Sequence, residues 1–296
     1  MKIPSESRIR VAMSSIEGGG YLPEMFTPEE ALELIRNHSE YWIYIDNRMV
    51  KDVEQIEVAD LSEVSVIRMM PPLQGCTRRK ILVVGAGGIG GALAELVSRA
   101  AAFSNLASSC CWINISLMDA DLIEKHNLPH QRFSAKDIGR PKVEALANQL
   151  RDAGVDESQG VILNPIVENL SSETDLSEYD IVVIAVDREE PRRLVHENAK
   201  AWLDLRCRGD GFLMWSHLDD IRVLNRFPAL ADGESASCQL EGAIEDGNIQ
   251  FGFVNAASHG AQWLIQWLRG SQVPSARTYS IHMGDLPLPS ASEEEE

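Results

Sequence analysis

The rhythm of apolar and polar positions changes near residues 76–79. Before that point, short alternating or aromatic runs surround one amphipathic stretch. RIRVAMS (8–14) alternates like a strand, EGGG (17–20) reads as a turn, and YLPEMF (21–26) as the returning hairpin partner. TPEEALELIRNH (27–38) opens with a threonine cap and a proline at the first helical position. It has glutamates in its first turn and puts Ala31, Leu34 and Ile35 on one face. YWIYID (41–46) is aromatic and β-branched, Asn47 begins a turn, and VSVIRMM (64–70) is a further strand. The order ββαββ predicts a small α+β domain over residues 1–76.

After it, buried strands alternate with helices, as in a doubly wound parallel sheet. KILVVGA (80–86) is a strand, followed by a helix with Leu93, Leu96, Val97 and Ala100 at helical spacing. INISLMD (113–119), GVILNPIV (160–167) and DIVVIAVD (180–187) are further strands. PKVEALANQL (141–150) and PRRLVHENA (191–199) are helices. AWLDLRC, GFLMWSH and DIRVLNRF (201–227) read as β structure, VNAASHGAQWLIQWL (254–268) as a helix and TYSIHM (278–283) as a last strand. The expected architecture is therefore α/β: a Rossmann-like domain over 77–288, preceded by the α+β domain and followed by an acidic tail, 289–296.

Composition narrows the partners. With 296 residues, 44% of them hydrophobic, the chain can bury a large core. The net charge of -18 argues against a nucleic-acid partner, because phosphates would be repelled. The sequence holds no run of about 18 apolar residues and opens on MKIPSESRIR without a signal-like stretch, so a cytoplasmic protein with no membrane partner is expected. The five cysteines, Cys76, Cys110, Cys111, Cys207 and Cys238, form no CxxC pair, so no zinc is expected.

GAGGIG (85–90) stands between a strand and a helix. Its glycines let the backbone turn sharply and approach a phosphate, and the helix start offers free N–H groups to the anion. Gly85, Gly87, Gly88 and Gly90 are accordingly candidate nucleotide-binding positions. Asp119, at the end of the second parallel strand, suits ribose hydroxyls. To this point a nicotinamide-dependent oxidoreductase fits as well as an ATP enzyme.

The following residues separate the two. DADLIEKHNLPHQRFSAKDIGRPKVEAL (119–146) resembles the stretch D-x-D-x-[VI]-x-x-x-N-L-x-R-Q-x-[LF], then D-x-G-x-x-K, of the ThiF/MoeB/ubiquitin-activating superfamily. Asp119, Asp121, Asn127, Leu128, Gln131, Phe133, Asp137, Gly139 and Lys142 fall in register, and AVDREEPRR (185–193) resembles that superfamily's A-x-D-N-x-x-x-R. The resemblance implies ATP and Mg²⁺ as cofactors, ribose binding by Asp119, polyphosphate contact by Lys142 and metal binding by Asp187. Asn127 and Gln131 can orient phosphate oxygens. Asp121 either joins the site or only ties down its loop, and Asp137 reads as a structural turn acid. The superfamily has Arg where this chain has His130; Arg132, two residues on, is the other residue that could meet the phosphates. Many relatives also lend an Arg across a homodimer from an N-terminal helix, whose place the first domain takes here. Arg78 and Arg79 are candidate substitutes.

The chemistry implied is attack of an ionised carboxylate on the α-phosphorus of ATP, which needs charge neutralisation and alignment rather than a general base. Some superfamily members then pass the acyl group to a cysteine. Cys238, in ADGESASCQLEG (231–242), stands where that acceptor usually lies, although Glu234 and Glu241 nearby would disfavour its thiolate; a plain loop cysteine is the alternative. Cys207 is the second candidate. The N-terminal order is that of a β-grasp domain, and DLSEVSVIRMMPPLQGC (60–76) resembles the end of ThiS, MoaD and ubiquitin-like proteins, with Cys76 in place of the second glycine. Gly75 is thus no free C-terminus, and the segment reads as a docking module rather than the substrate. The resemblance implies as partners a ubiquitin-like protein with a Gly-ending tail and a downstream conjugating enzyme, and pairing of two copies. Sulfur-carrier or peptide adenylylation, a NAD-dependent oxidoreductase and a non-catalytic scaffold are the competing readings.

Overall fold

The computed structural model describes residues 8–13, 24–38, 41–46, 48–50, 56–70, 79–104, 106, 112–225 and 238–288. The 17–20 turn, Asn47, Gly75, Cys76, Arg78, Cys110, Cys111, Glu234 and the acidic tail lie outside them. The chain falls into two compact units, Met1–Gly75 with Gln266–Gln272, and Cys76–Ile265 with Val273–Glu296.

The first unit is a five-stranded sheet with one substantial helix. Its strands are β1 (Ile9–Met13), β2 (Glu24–Phe26), β3 (Trp42–Ile45), β4 (Arg48–Met49) and β5 (Val66–Met70), in the order β2-β1-β5-β3-β4. β1 and β5 run parallel, and the other pairs are antiparallel. Helix α1 (Pro28–Asn37) begins with a reciprocal capping box: Glu30 N–H donates to Thr27 Oγ1, and Thr27 N–H to the Glu30 carboxylate. The face it buries carries Ala31, Leu32 and Ile35; Leu34, expected there, is only partly covered. They pack with Ile9, Val11, Ile43, Ile67 and Met69. A one-turn helix α2 (Val58–Leu61) was not legible in the sequence; the Asp60 carboxylate caps it by accepting from Glu57 N–H.

The second unit holds an eight-stranded sheet in the order β13-β12-β11-β10-β9-β6-β7-β8. Strands β6 (Arg79–Val84), β7 (Ile113–Met118), β8 (Val161–Ile166), β9 (Ile181–Ile184) and β10 (Trp202–Arg208) run parallel to one another. The inner strands are buried on both faces, which is why they read as unbroken apolar runs. Pro165 is tolerated within β8 because β8 is an edge strand. β11 (Gly211–Ser216), β12 (Arg277–Ser280) and β13 (Gly284–Leu286) continue the sheet as an antiparallel meander. Its helices among the described residues are α3 (Gly88–Phe103), α4 (Lys142–Asp152), α5 (Glu189–Asn198), α6 (Ile221–Leu224) and, as far as Ile265, α7 (Gly252–Leu268).

Two expectations fail here. DIRVLNRF is not a strand in its described part: Asp220 caps the single turn α6 by accepting from Arg222 N–H, and Val223 and Leu224 turn into the core. TYSIHM ends at Ser280, where the chain turns back into β13.

Candidate active site

Strand order reverses between β6 and β9, since β7 lies on one side of β6 and β9 on the other. In doubly wound sheets such a reversal opens a crevice at the carboxyl ends of the strands. A cleft of about 670 Å³ lies there. It is lined by Gly85, Gly87, Gly88, Asp119, Asp121, Asn127, His130, Gln131, Lys142, Asp187, Cys207 and Cys238, and continues to Phe212, Tyr279 and Leu286 on the meander. Gly90 and Arg132 are not on its wall.

The glycine loop is set by close backbone approach. Gly85 has φ +98, and a β-carbon there would stand 2.7 Å from the Ala185 carbonyl oxygen. A β-carbon on Gly90 would lie 1.8 Å from the Gly85 carbonyl oxygen, so Gly90 serves the fit of α3 onto its strand rather than the ligand. α3 starts at Gly88, and its first N–H groups have no partner within the helix.

Asp119 ties that loop down. Its carboxylate accepts from Ala86 N–H at 2.7 Å and from Asp121 N–H at 2.8 Å. Burial raises its pKa above the ordinary value against these two bonds and the nearby Lys142 charge. The segment after Asp119 folds back on residues 139–142: Gly139 N–H donates to Ile123 O, Ile123 N–H to Arg140 O and Lys142 N–H to Asp121 O. This pairing brings the two side chains together, with Lys142 Nζ 2.7 Å from Asp121 Oδ2.

Asn127 is buried and its Oδ1 accepts from Glu124 N–H at 2.8 Å, closing the turn before His130. Asp137 is structural, as expected: it accepts from the Ser134 hydroxyl and amide, Arg140 and Gln149. The His130 ring is buried, and its pKa is lowered by burial and by the His126 and Lys142 charges, so it is neutral at neutral pH. Its Nδ1 and the Gln131 Oε1 are buried with no hydrogen-bond partner. Buried polar atoms left unpaired on a cleft wall need a partner from a ligand or from solvent. Arg132, by contrast, turns outward onto Glu95 of α3.

Asp187 follows β9 across the reversal from Gly85. A buried network not read from the sequence holds its loop. Arg192 of α5 pairs with Asp204 of β10 and donates to the carbonyl oxygens of Val186 and Leu205. Arg206 bridges Asp204 (2.8 Å) and Glu189 (3.2 Å). Burial lowers Arg192 to about 9, which leaves it charged at neutral pH. His196, stacked on Trp202, is pushed to about 4 by burial and the two guanidinium groups, and so is neutral. The signal was an aspartate inside the apolar run AWLDLRC, since a carboxylate there must find partners.

Cys207 is the last residue but one of β10, and its thiol donates to the Cys238 carbonyl oxygen at 3.6 Å. Gly209 N–H donates to the same oxygen at 2.9 Å, and Gln239 bonds the Gln250 backbone twice, which anchors the Cys238 segment. A side-chain bond between the two thiols holds the Cys238 thiol below its usual range, against burial, while the same thiol–thiol bond and burial push Cys207 up.

A glycine-loop cleft at the reversal point of a doubly wound sheet, with a lysine and separate carboxylates on its wall, defines a nucleotide-binding α/β protein. The chain matches the ThiF family over residues 57–284 and belongs to it. It is 34% identical over 119 residues to the ATP-dependent ubiquitin transferase-like protein Cap2 of Vibrio cholerae, covering 40% of this chain and 19% of that protein. A Cap2 of Escherichia coli is 34% identical over 113 residues, 38% of this chain and 18% of that one. The chain thus spans about a fifth of the length of these curated relatives. Among solved structures, E. coli MccB with MccA-N7isoASN superposes at a TM-score of 0.48 with 20% identity, over 73% of this chain and 66% of that one. PaaA gives 0.46 and 17%, over 70% and 62%.

Proposed function

We propose that this chain uses Mg²⁺-ATP to adenylate the C-terminal carboxylate of a ubiquitin-like protein with a Gly-ending tail, and that Cys238 then accepts the acyl group as a thioester. One observation carries the reading: Lys142, Asp119, Asp187 and Cys238 line a single cleft with the glycine loop.

In this reading the Gly87–Gly88 start of α3 receives phosphate and Asp119 accepts a ribose hydroxyl. Lys142 exchanges Asp121 for the leaving phosphates, and Gln131 and Asn127 help to orient phosphate oxygens. The acceptor carboxylate attacks the α-phosphorus. The bond to the bridging oxygen breaks and its electron pair leaves with pyrophosphate. The Cys238 thiolate next attacks the acyl carbon and AMP departs. Among the described residues no cluster of three or more His, Cys, Asp or Glu could hold a metal, so a magnesium ion here would arrive with phosphate oxygens and take Asp187 as its protein ligand. Bound there, it supplies charge neutralisation to the triphosphate.

Family membership and the likeness to the ubiquitin transferase-like protein Cap2 support a ubiquitin-like acceptor. The order β2-β1-β5-β3-β4, with a parallel central pair and α1 packed on it, supports the β-grasp reading of the first unit. A cytoplasmic homodimer that hands its product to a conjugating enzyme completes the proposal. No helix among the described residues is long and apolar enough to cross a membrane.

The test is ATP–pyrophosphate exchange with small proteins ending in Gly-Gly, followed by intact mass of the enzyme. Exchange that needs such a protein, with a Cys238 adduct cleaved by thiols, is expected. Exchange with a short peptide alone moves the chain to the peptide reading. Tight NAD binding without exchange moves it to the oxidoreductases.

A further inference from the structure

The cleft is short of positive charge for a triphosphate. His130 is neutral and Arg132 points away onto Glu95. Two further guanidinium groups on the wall are matched by carboxylates: Arg192 by Asp204, and Arg206 by Asp204 and Glu189. Arg208 ends β10, on the far side of β9 from the glycine loop.

Arg188 is placed differently. Its Nη2 donates to the Asn169 amide oxygen at 3.2 Å, a neutral acceptor. Topology shows what this bond crosses. Parallel strands β8, β7, β6 and β9 stand side by side, and Asn169, Asp119, Gly85 and Arg188 follow them in that order at the same edge. The bond therefore joins loops that start three strand spacings apart, roughly 14 Å. Between them lie the strand ends that carry Asp119 and the glycine loop. Arg188 and Asn169 both line the cleft, so the bond links two loops of its wall that flank the glycine loop in strand order. Position 188 also carries Asn in the motif that AVDREEPRR resembles, so one basic residue is gained here where one is lost at 130.

We propose that Arg188 is a catalytic residue that leaves Asn169 for the phosphate oxygens of bound ATP and supplies the guanidinium that position 130 lacks. The proposal rests on the adenylation reading. A planar fork bonds two phosphate oxygens at once, and an anionic acceptor adds Coulomb attraction that the neutral Asn169 amide does not offer, so the exchange of acceptor is favourable. As the bond from the α-phosphorus to its bridging oxygen breaks, negative charge grows on pyrophosphate, and the fork stabilises it.

The test compares the wild type with Arg188→Gln and Arg188→Lys. It measures binding of adenosine and of β,γ-imido-ATP with magnesium, and ATP–pyrophosphate exchange. Arg188→Gln is expected to lower kcat/KM for ATP roughly 30- to 300-fold and to weaken the triphosphate analogue while leaving adenosine binding unchanged. The retained charge of Arg188→Lys restores part of both losses. Wild-type affinity for the analogue in Arg188→Gln, or a parallel loss of adenosine affinity, overturns the proposal. Failure of the adenylation reading looks different: the wild type itself then binds no magnesium triphosphate, and Lys142→Ala changes nothing.

Discussion

Lys142 carries its ammonium on a buried stem to Asp121, 2.7 Å away, and that carboxylate is open to solvent. The pair holds the cation at the cleft wall without burying its partner, so the lysine can change acceptor at little cost. Removing the cation removes charge from the phosphates and leaves Asp121 solvated. Lys142→Ala is therefore expected to lower adenylation by about 10²–10³ in kcat while moving the urea midpoint little. Exchange kinetics and urea titration read the two effects separately; intact exchange activity in this variant would remove Lys142 from the chemistry.

Asp119 gives a pH dependence of definite sign. Its folded pKa is raised above 3.8, chiefly by burial. A raised carboxylate is destabilising once ionised, so its contribution worsens as pH rises from 3.8 through the folded value. Asp119→Asn is expected to flatten that part of the stability–pH curve and to raise KM for ATP, because one acceptor for the ribose is lost. A curve identical to that of the wild type would show that burial does not govern this group.

Asp137 has the opposite sign. Burial opposes its ionisation, yet the Ser134 bonds and the Lys136 and Arg140 charges bring its pKa below 3.8. Its stabilising contribution is complete above that value and is lost as pH falls through the folded pKa. Ser134→Ala removes the hydroxyl bond of 2.7 Å. It is expected to raise the pH midpoint of acid unfolding, followed by circular dichroism, with exchange activity at neutral pH preserved.

The glycine loop, Asp119, Lys142 and Asp187 were legible because each sits in a tight turn, just past a strand end or at a helix start, where local chain geometry narrows the residue type. Gly85 shows this: only glycine fits both its φ of +98 and the carbonyl of Ala185. His130 and Arg132 were not separable in the same way. They are two residues apart in a turn, and which one faces inward is decided by Glu95 on α3, distant in sequence. The Arg192–Asp204 pair escaped for a related reason. AWLDLRC announces a carboxylate that must be paired, but the partner comes from another element that only the folded sheet brings near. The strand expected from Asp220 fails over 220–225 because a short apolar run is equally a helical turn when an aspartate precedes it.

Asp204 is fully buried between two guanidinium groups, and one of them also binds the carbonyl of Val186, next to Asp187. Asp204→Ala strands Arg192 and leaves Arg206 with Glu189 alone. Breaking a buried pair in this way costs about 3–5 kcal/mol, which urea unfolding would register. Because Arg192 also holds the Asp187 loop, apparent magnesium affinity in the exchange assay is expected to fall in parallel. A stable variant with unchanged magnesium dependence would show that the network is dispensable for both.

Cys238 owes its lowered pKa first to the bond from Cys207, which outweighs burial and the Asp187 charge. Cys207→Ala removes that donor and keeps the strand end. The pH midpoint for iodoacetamide labelling of Cys238, followed by peptide mass spectrometry, is then expected to move upward, because thiolate rather than thiol is the nucleophile. Thioester formation should slow at neutral pH and recover as pH rises, while ATP–pyrophosphate exchange, which precedes the thiol step, keeps its wild-type rate. An unmoved labelling midpoint would mean that Cys207 does not tune its neighbour. Loss of exchange together with the thioester would place the defect in the cleft as a whole rather than in the thiol.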